Sequence, residues 1–166
     1  MPNKNLTIVK FCRVCGAEDS RVVLNLEATP PGDIFFSSRS SATAAQKYPL
    51  TLAICEKCGY LHLNEVLDPH ISYSNYVYHS SITVGLRSKF EELADLTVSL
   101  ASLTSEDLVV DLGSNDGTML KVLRERGLRA VGVEPSERLA EGSRKDGLTV
   151  INRFFDQSCS EEIIEQ

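Results

Sequence analysis

Leu86, Phe90, Leu93, Leu96, Leu100 and Leu103 recur at three- and four-residue steps, the spacing of one face of an α-helix. They predict a helix over about 82–103, with that stripe packed into a core. After it the pattern changes. Short apolar runs at 108–112, 129–133 and 148–151 read as strands. A helix predicted over 118–126 ends at Gly127, and Ser136 is placed to cap a second helix running to about Lys145. Residues 161–166 read as the start of a third. Strands alternating with helices predict parallel β-α-β units.

Before the long helix there is no comparable periodicity. Residues 29–33 and the serine-rich run 37–41 read as loops, and 50–54 reads as a strand. The expected organisation is a small domain over 1–70, a connector over 71–105 that opens on Tyr73, Tyr76 and Tyr78, and a partial α/β domain over 106–166.

Composition adds limits. The 166 residues are 42% hydrophobic and 24% charged, as in a soluble globular protein. The formal net charge of −6 is concentrated after residue 60, where 18 Asp and Glu face 10 Lys and Arg. Such a chain repels phosphate backbones, so nucleic acid is a poor partner, and residues 1–60 show no basic stripe that would favour a zinc-ribbon nucleic-acid binder. No apolar run of about 18 residues predicts a membrane span, and the N-terminus has no signal-peptide pattern. A cytoplasmic, reducing location is expected, where paired C-x2-C units favour metal over disulfides.

Cys12 and Cys15, then Cys55 and Cys58, form two such pairs separated by 39 residues. Two residues between cysteines let both sulfurs turn toward one ion, and two such knuckles complete a tetrahedral S4 shell for Zn2+. Gly16 and Gly59 follow each pair, where a knuckle often needs positive φ. A closed thiolate shell leaves no position for water, so the predicted zinc is structural. His62 is an alternative fourth ligand, and Cys159 reads as an ordinary thiol.

Asp111, Gly113, Ser114, Asn115, Asp116 and Gly117 form a strand-to-helix glycine loop, with Asn115 and Asp116 placed to cap the helix. The next strand ends at Glu134, followed by Pro135 and Ser136. An acidic residue there can accept both ribose hydroxyls of an adenosine ligand. An acidic loop repels the pyrophosphate of a dinucleotide but suits a cationic centre, which points to S-adenosyl-L-methionine (AdoMet).

With both motifs in place, the chain resembles the N-terminal part of the zinc-containing, AdoMet-dependent sugar C-methyltransferases. The resemblance rests on the two C-x2-C-Gly units, residues 76–81, residues 111–117 and residues 132–136. It implies a small zinc-binding N-terminal domain followed by the first half of a Rossmann-like methyltransferase fold. It also implies a nucleotide-diphosphate keto-deoxysugar as substrate, methylated at carbon 3, with Tyr76 and His79 facing the sugar. The expected picture is that the zinc knuckles stabilise the wall that offers this pair.

Members of that family are longer, and their proposed base lies in the C-terminal part. The predicted sheet stops at its third strand, so the chain is expected to be a fragment, or a split subunit completed by a partner. Methyl transfer to another small molecule, and a zinc- and AdoMet-binding module without chemistry, remain as alternatives.

Overall fold

The computed structural model describes residues 5–165. The chain divides into two compact units, Met1–Ser72 and Tyr73–Gln166.

In the first unit β1 (Leu6–Ile8) pairs antiparallel with β5 (Glu65–Leu67). β2 (Ser20–Thr29), β3 (Tyr48–Cys55) and β4 (Leu61–Leu63) form an antiparallel sheet in the order β2-β3-β4. The strand expected at 50–54 is the middle of β3. The serine run read as loop holds a one-turn helix, α1 (Arg39–Thr43). Ser38 makes the difference, because its Oγ accepts the Ser41 N–H at 3.1 Å and caps a turn that propensity alone disfavours. A second short helix, α2 (Pro69–Tyr73), lies at the division between units. Burial in this unit is thin. Val22, Val23, Leu24 and Leu26 of β2 are all exposed, and the buried hydrophobic residues are Cys12, Tyr48, Ala53 and Cys55.

The second unit has a three-layer core. A 3-10 turn (Ser80–Ile82) precedes α3 (Leu86–Ala101). β6 (Leu108–Leu112), α4 (Thr118–Glu125), β7 (Arg129–Val133), α5 (Glu137–Lys145) and β8 (Thr149–Ile151) follow, then α6 (Gln157–Ile164). The three strands are parallel in the order β6-β7-β8, with Asp111 beside Gly132 and Gly132 beside Val150. Alternation along β6 sends Val109 toward Ala94, Val122 and Leu123, and Leu108 and Val110 toward Cys159 and Ile163. The sheet is thus covered on both faces, as in the first half of a Rossmann-like fold. Cys159 is an ordinary core thiol, fully buried against Val133 and Ile163.

The expected stripe is buried only in part. Phe90 and Leu103 pack against the cluster of Ala94, Val122, Leu123 and Leu128, as does Val98, while Leu93, Leu96 and Leu100 are exposed. The small side chain of Ala94, with no exposed surface, lets α4 approach closely, and that contact selects the neighbouring face. Among the described residues no helix is long and apolar enough to cross a membrane.

Candidate functional site

The two cysteine pairs are built by the same backbone device. Gly16 N donates to Cys12 O at 2.8 Å, and Gly59 N donates to Cys55 O at 2.8 Å. Cys12 N then donates to Ala17 O, and Cys55 N to Tyr60 O. Both glycines have positive φ, 73° and 75°, which closes each turn without a Cβ penalty. The second pair sits where β3 ends, so the sheet holds one knuckle in place.

All four sulfurs lie within 4.8 Å of one another. Cys12 Sγ is 3.6 Å from Cys58 Sγ, and Cys15 Sγ is 3.6 Å from Cys55 Sγ, so each close approach joins opposite knuckles. Zinc–sulfur bonds of about 2.3 Å in a tetrahedron set sulfurs roughly 3.8 Å apart, so the four donors fit that ion. The thiols also show why a cation belongs there. The backbone N–H of Cys15 and other hydrogen bonds, against the opposing effect of burial, draw Cys12 down to about 6. At Cys58 the amide of Tyr60 also favours the thiolate, but burial and the thiols of Cys15, Cys12 and Cys55 push it up to about 12. Four thiolates this close repel one another until a dication sits among them. The N-terminal unit therefore carries a four-cysteine zinc-binding cluster. His62 is not part of it. Its ring is buried, stacks on Tyr60, and contacts Leu63 O through Nδ1 at 3.2 Å and Ser20 Oγ through Nε2 at 3.4 Å.

The glycine loop leaves the C-terminal end of β6 and is tied to β7. Gly113 N and Ser114 N both donate to Val133 O, at 2.8 and 3.2 Å. Gly113 has φ 78°, and a Cβ placed there would meet nothing within 4 Å, so the loop leaves open space beside it. Gly117, with φ 74°, is different, because a Cβ there would come within 2.3 Å of Leu148 Cδ1. It is required by packing. Gly132 on β7 is required in the same way, since a Cβ would lie 2.4 Å from Ser114 Oγ. That hydroxyl is buried and has no hydrogen-bond partner.

Glu134 is buried and holds the loop in shape. Its Oε2 accepts Asn115 N at 2.9 Å and its Oε1 accepts Ser136 N at 2.7 Å. Asn152, unnoticed in the sequence, donates from Nδ2 to Glu134 O and Pro135 O. Asp111 lies one residue before the end of β6, and burial, with Glu134 beside it, pushes its carboxyl up. Among the described residues no cationic side chain pairs with either carboxylate. A carboxylate keeps about four acceptor positions, so Glu134 can accept more bonds than its two amides supply.

Asn115 and Asp116 do more than cap a helix. Asn115 Oδ1 accepts Ser80 N at 2.9 Å, and Nδ2 donates to Tyr78 O at 3.0 Å. Asp116 Oδ2 accepts Ser81 N at 2.8 Å, while Oδ1 accepts from Thr118 Oγ1 and N at 2.6 and 3.2 Å. Burial would raise the Asp116 carboxyl, but the bonds from Thr118 and Ser81 outweigh it and hold it low. Ser136 stands at the cap position of α5, yet its side chain makes no cap bond and its Oγ reaches Tyr76 O at 3.4 Å. Residues 76–81 are thus fastened to the glycine loop and to the end of β7. That segment belongs to the second unit.

Tyr76 is half-buried between Tyr73 and Tyr78, with ring centroids 5.9 and 6.3 Å away. His79 is also half-buried. Its Nδ1 lies 3.8 Å from Asp116 Oδ2, and its Nε2 lies 3.0 Å from an Arg138 guanidinium nitrogen. Arg138 was not among the expected site residues, and no sequence spacing signals a contact across 59 positions.

Residues 12–73 match the model of a family described as "Putative zinc binding domain" (Methyltransf_13). Over 152 residues the chain is 33% identical to the C-methyltransferase NovU of Streptomyces niveus. That match covers 92% of this chain and 36% of the relative, so the chain spans about a third of that protein's length. Both findings agree with the resemblance carried by the motifs, and they are consistent with the N-terminal part alone.

Proposed function

We propose that the chain provides the zinc-binding unit and the AdoMet-binding half-fold of a C-methyltransferase whose substrate is a nucleotide-linked keto-deoxysugar. The observation that carries the AdoMet reading is the pair Asp111 and Glu134. Two carboxylates stand at the C-terminal ends of adjacent parallel strands, without a protein cation, beside an open glycine turn. Ligands of α/β sheets bind at such strand ends. Burial makes the negative charge of Asp111 costly, and a ligand carrying positive charge relieves that cost.

In this reading Gly113 admits the ligand to the backbone, Glu134 accepts its ribose hydroxyls, and Asp111 faces its cationic part. AdoMet, when bound, supplies a methyl group on a sulfonium. The sugar side belongs to Tyr76 and His79. Removing the proton next to the ketone leaves an enolate oxygen, which a phenol O–H within reach stabilises, while an imidazole there hydrogen-bonds the sugar and orients it. The zinc holds the first unit together and takes no part in bond breaking.

Calorimetry of the zinc-loaded chain tests the first step. AdoMet is expected to bind more tightly than its neutral thioether, S-adenosylhomocysteine, and Glu134→Ala to abolish both. A folded chain that binds neither compound removes AdoMet from the account. Transfer of a labelled methyl group to carbon of a thymidine-diphosphate keto sugar, measured on the chain supplied with the rest of the enzyme, tests the substrate.

A further inference from the structure

Arg138 and His79 form a contact that the functional reading above does not use. Arg138 is exposed on the first turn of α5, and His79 immediately precedes the 3-10 turn. The imidazole makes no cap bond to that turn, so the local backbone does not fix its tautomer. His79, Asp116 and Arg138 line one cavity of about 260 Å³, together with Ser81 and Lys121.

A guanidinium has five N–H donors and no acceptor. The ring nitrogen it meets at 3.0 Å must therefore offer a lone pair. That nitrogen is Nε2, so a neutral His79 carries its proton on Nδ1. The Nδ1 edge faces Asp116, whose Oδ2 is 3.8 Å away, beyond hydrogen-bond length but close enough for the anion to favour an N–H there. Asp116 is itself fixed by Ser81 N and by Thr118, so its charge cannot easily turn away. The two charged neighbours act in the same sense on opposite edges of one ring.

We propose that Arg138 is a positioning residue that holds His79 in the Nδ1–H tautomer, making Nε2 a hydrogen-bond and proton acceptor toward the substrate. This rests on the reading of His79 as sugar-facing and settles what that reading leaves open, whether the imidazole donates or accepts. A sugar hydroxyl arriving at Nε2 finds a lone pair and not an N–H, and it shares or displaces the guanidinium. A carbonyl oxygen arriving there finds no donor on the ring.

The tautomer is measured directly. Long-range 1H–15N correlation on the 15N-labelled, zinc-loaded chain reports which ring nitrogen is protonated. The three histidines are told apart by the signals lost in His79→Gln. Wild type is expected to show Nδ1–H at His79. Arg138→Ala is expected to move the ring toward Nε2–H, the intrinsic preference of a free histidine side chain, and Arg138→Lys to restore Nδ1–H. An Nε2–H ring in wild type overturns the proposal, as does a ring unchanged by Arg138→Ala in a chain that keeps its circular dichroism and metal content. With the rest of the enzyme present, Arg138→Ala should lower kcat roughly ten- to a hundredfold with little change in KM. The outcomes separate from those of the functional reading. Nε2–H in a chain that binds AdoMet sinks this proposal alone, and Nδ1–H in a folded chain that ignores AdoMet sinks the functional reading alone.

Discussion

The two units bury hydrophobic surface in opposite ways. In the second, three clusters of buried side chains lie on both faces of a parallel sheet, centred on Leu123, Leu120 and Val133. In the first, the ten-residue strand β2 leaves Val22, Val23, Leu24 and Leu26 exposed, and of the four hydrophobic residues buried among the unit's described residues two are the metal ligands Cys12 and Cys55. The difference shows where each unit gets its stability. A segment of about 70 residues with so little core falls near the limit at which hydrophobic burial alone sustains a fold, and a structural metal supplies what is missing. Among the described residues the second unit has no comparable cluster of metal-ligating side chains.

Zinc removal should therefore produce the largest contrast. Binding at a structural Zn2+ site is worth roughly 10 kcal/mol or more in small metal-dependent folds. A chelator, or Cys55→Ser, is expected to abolish hydrogen-exchange protection in β2, β3 and β4 while β6, β7 and β8 remain protected. Equal loss in both units would break the comparison. Next in size is Leu123→Ala in the second unit. The side chain has no exposed surface, and its loss should cost about 3 kcal/mol in denaturant unfolding.

Asp111→Asn should act with the opposite sign. Burial and the neighbouring Glu134 raise the Asp111 carboxyl, so its ionisation opposes folding. The penalty is full above the folded pKa and disappears as pH falls below the ordinary carboxylate range. The substitution should raise the melting temperature of the second unit by about 2–4 °C at pH 7 and by less at pH 4, read by calorimetry. AdoMet affinity should fall at the same time, because the charge that destabilises the empty site is the one assigned to the ligand. The smallest effect belongs to Leu24→Ala in β2. It should cost less than about 1 kcal/mol in zinc-loaded protein, since half-exposed side chains lose little on truncation. A loss as large as that of Leu123→Ala would mean that β2 is buried by something in solution.

The same contrast separates what the sequence revealed from what it concealed. The zinc cluster was legible because ligand type and spacing are local, and the chemistry of four thiolates admits few other readings. The β-α-β order was legible because its apolar runs and helix stops are also local. The buried face of α3 was legible only in part. Phe90 and Leu103 pack as the stripe predicts, but Leu93, Leu96 and Leu100 are exposed while Ala94 and Val98 face the core, and only the close approach of α4 reveals that rotation. Asn115 and Asp116 were read as loop and cap residues because their partners, Tyr78, Ser80 and Ser81, lie about 35 positions earlier. Gly132 and Asn152 were missed as supports for the same reason. Each acts through a neighbour distant in sequence, on Ser114 or on the Glu134 backbone.

The side chains of Asn115 and Asp116 have one further consequence. They belong to the glycine loop by sequence and to residues 78–81 by their hydrogen bonds, so a single set of bonds is common to both. Thermodynamic linkage then makes the traffic symmetrical. Whatever free energy one ligand gains by ordering this shared set, a second ligand that needs the same arrangement gains equally, in either order of arrival. The AdoMet and sugar subsites proposed above, if both need this arrangement, would fill with positive cooperativity, without a hinge or a moving domain.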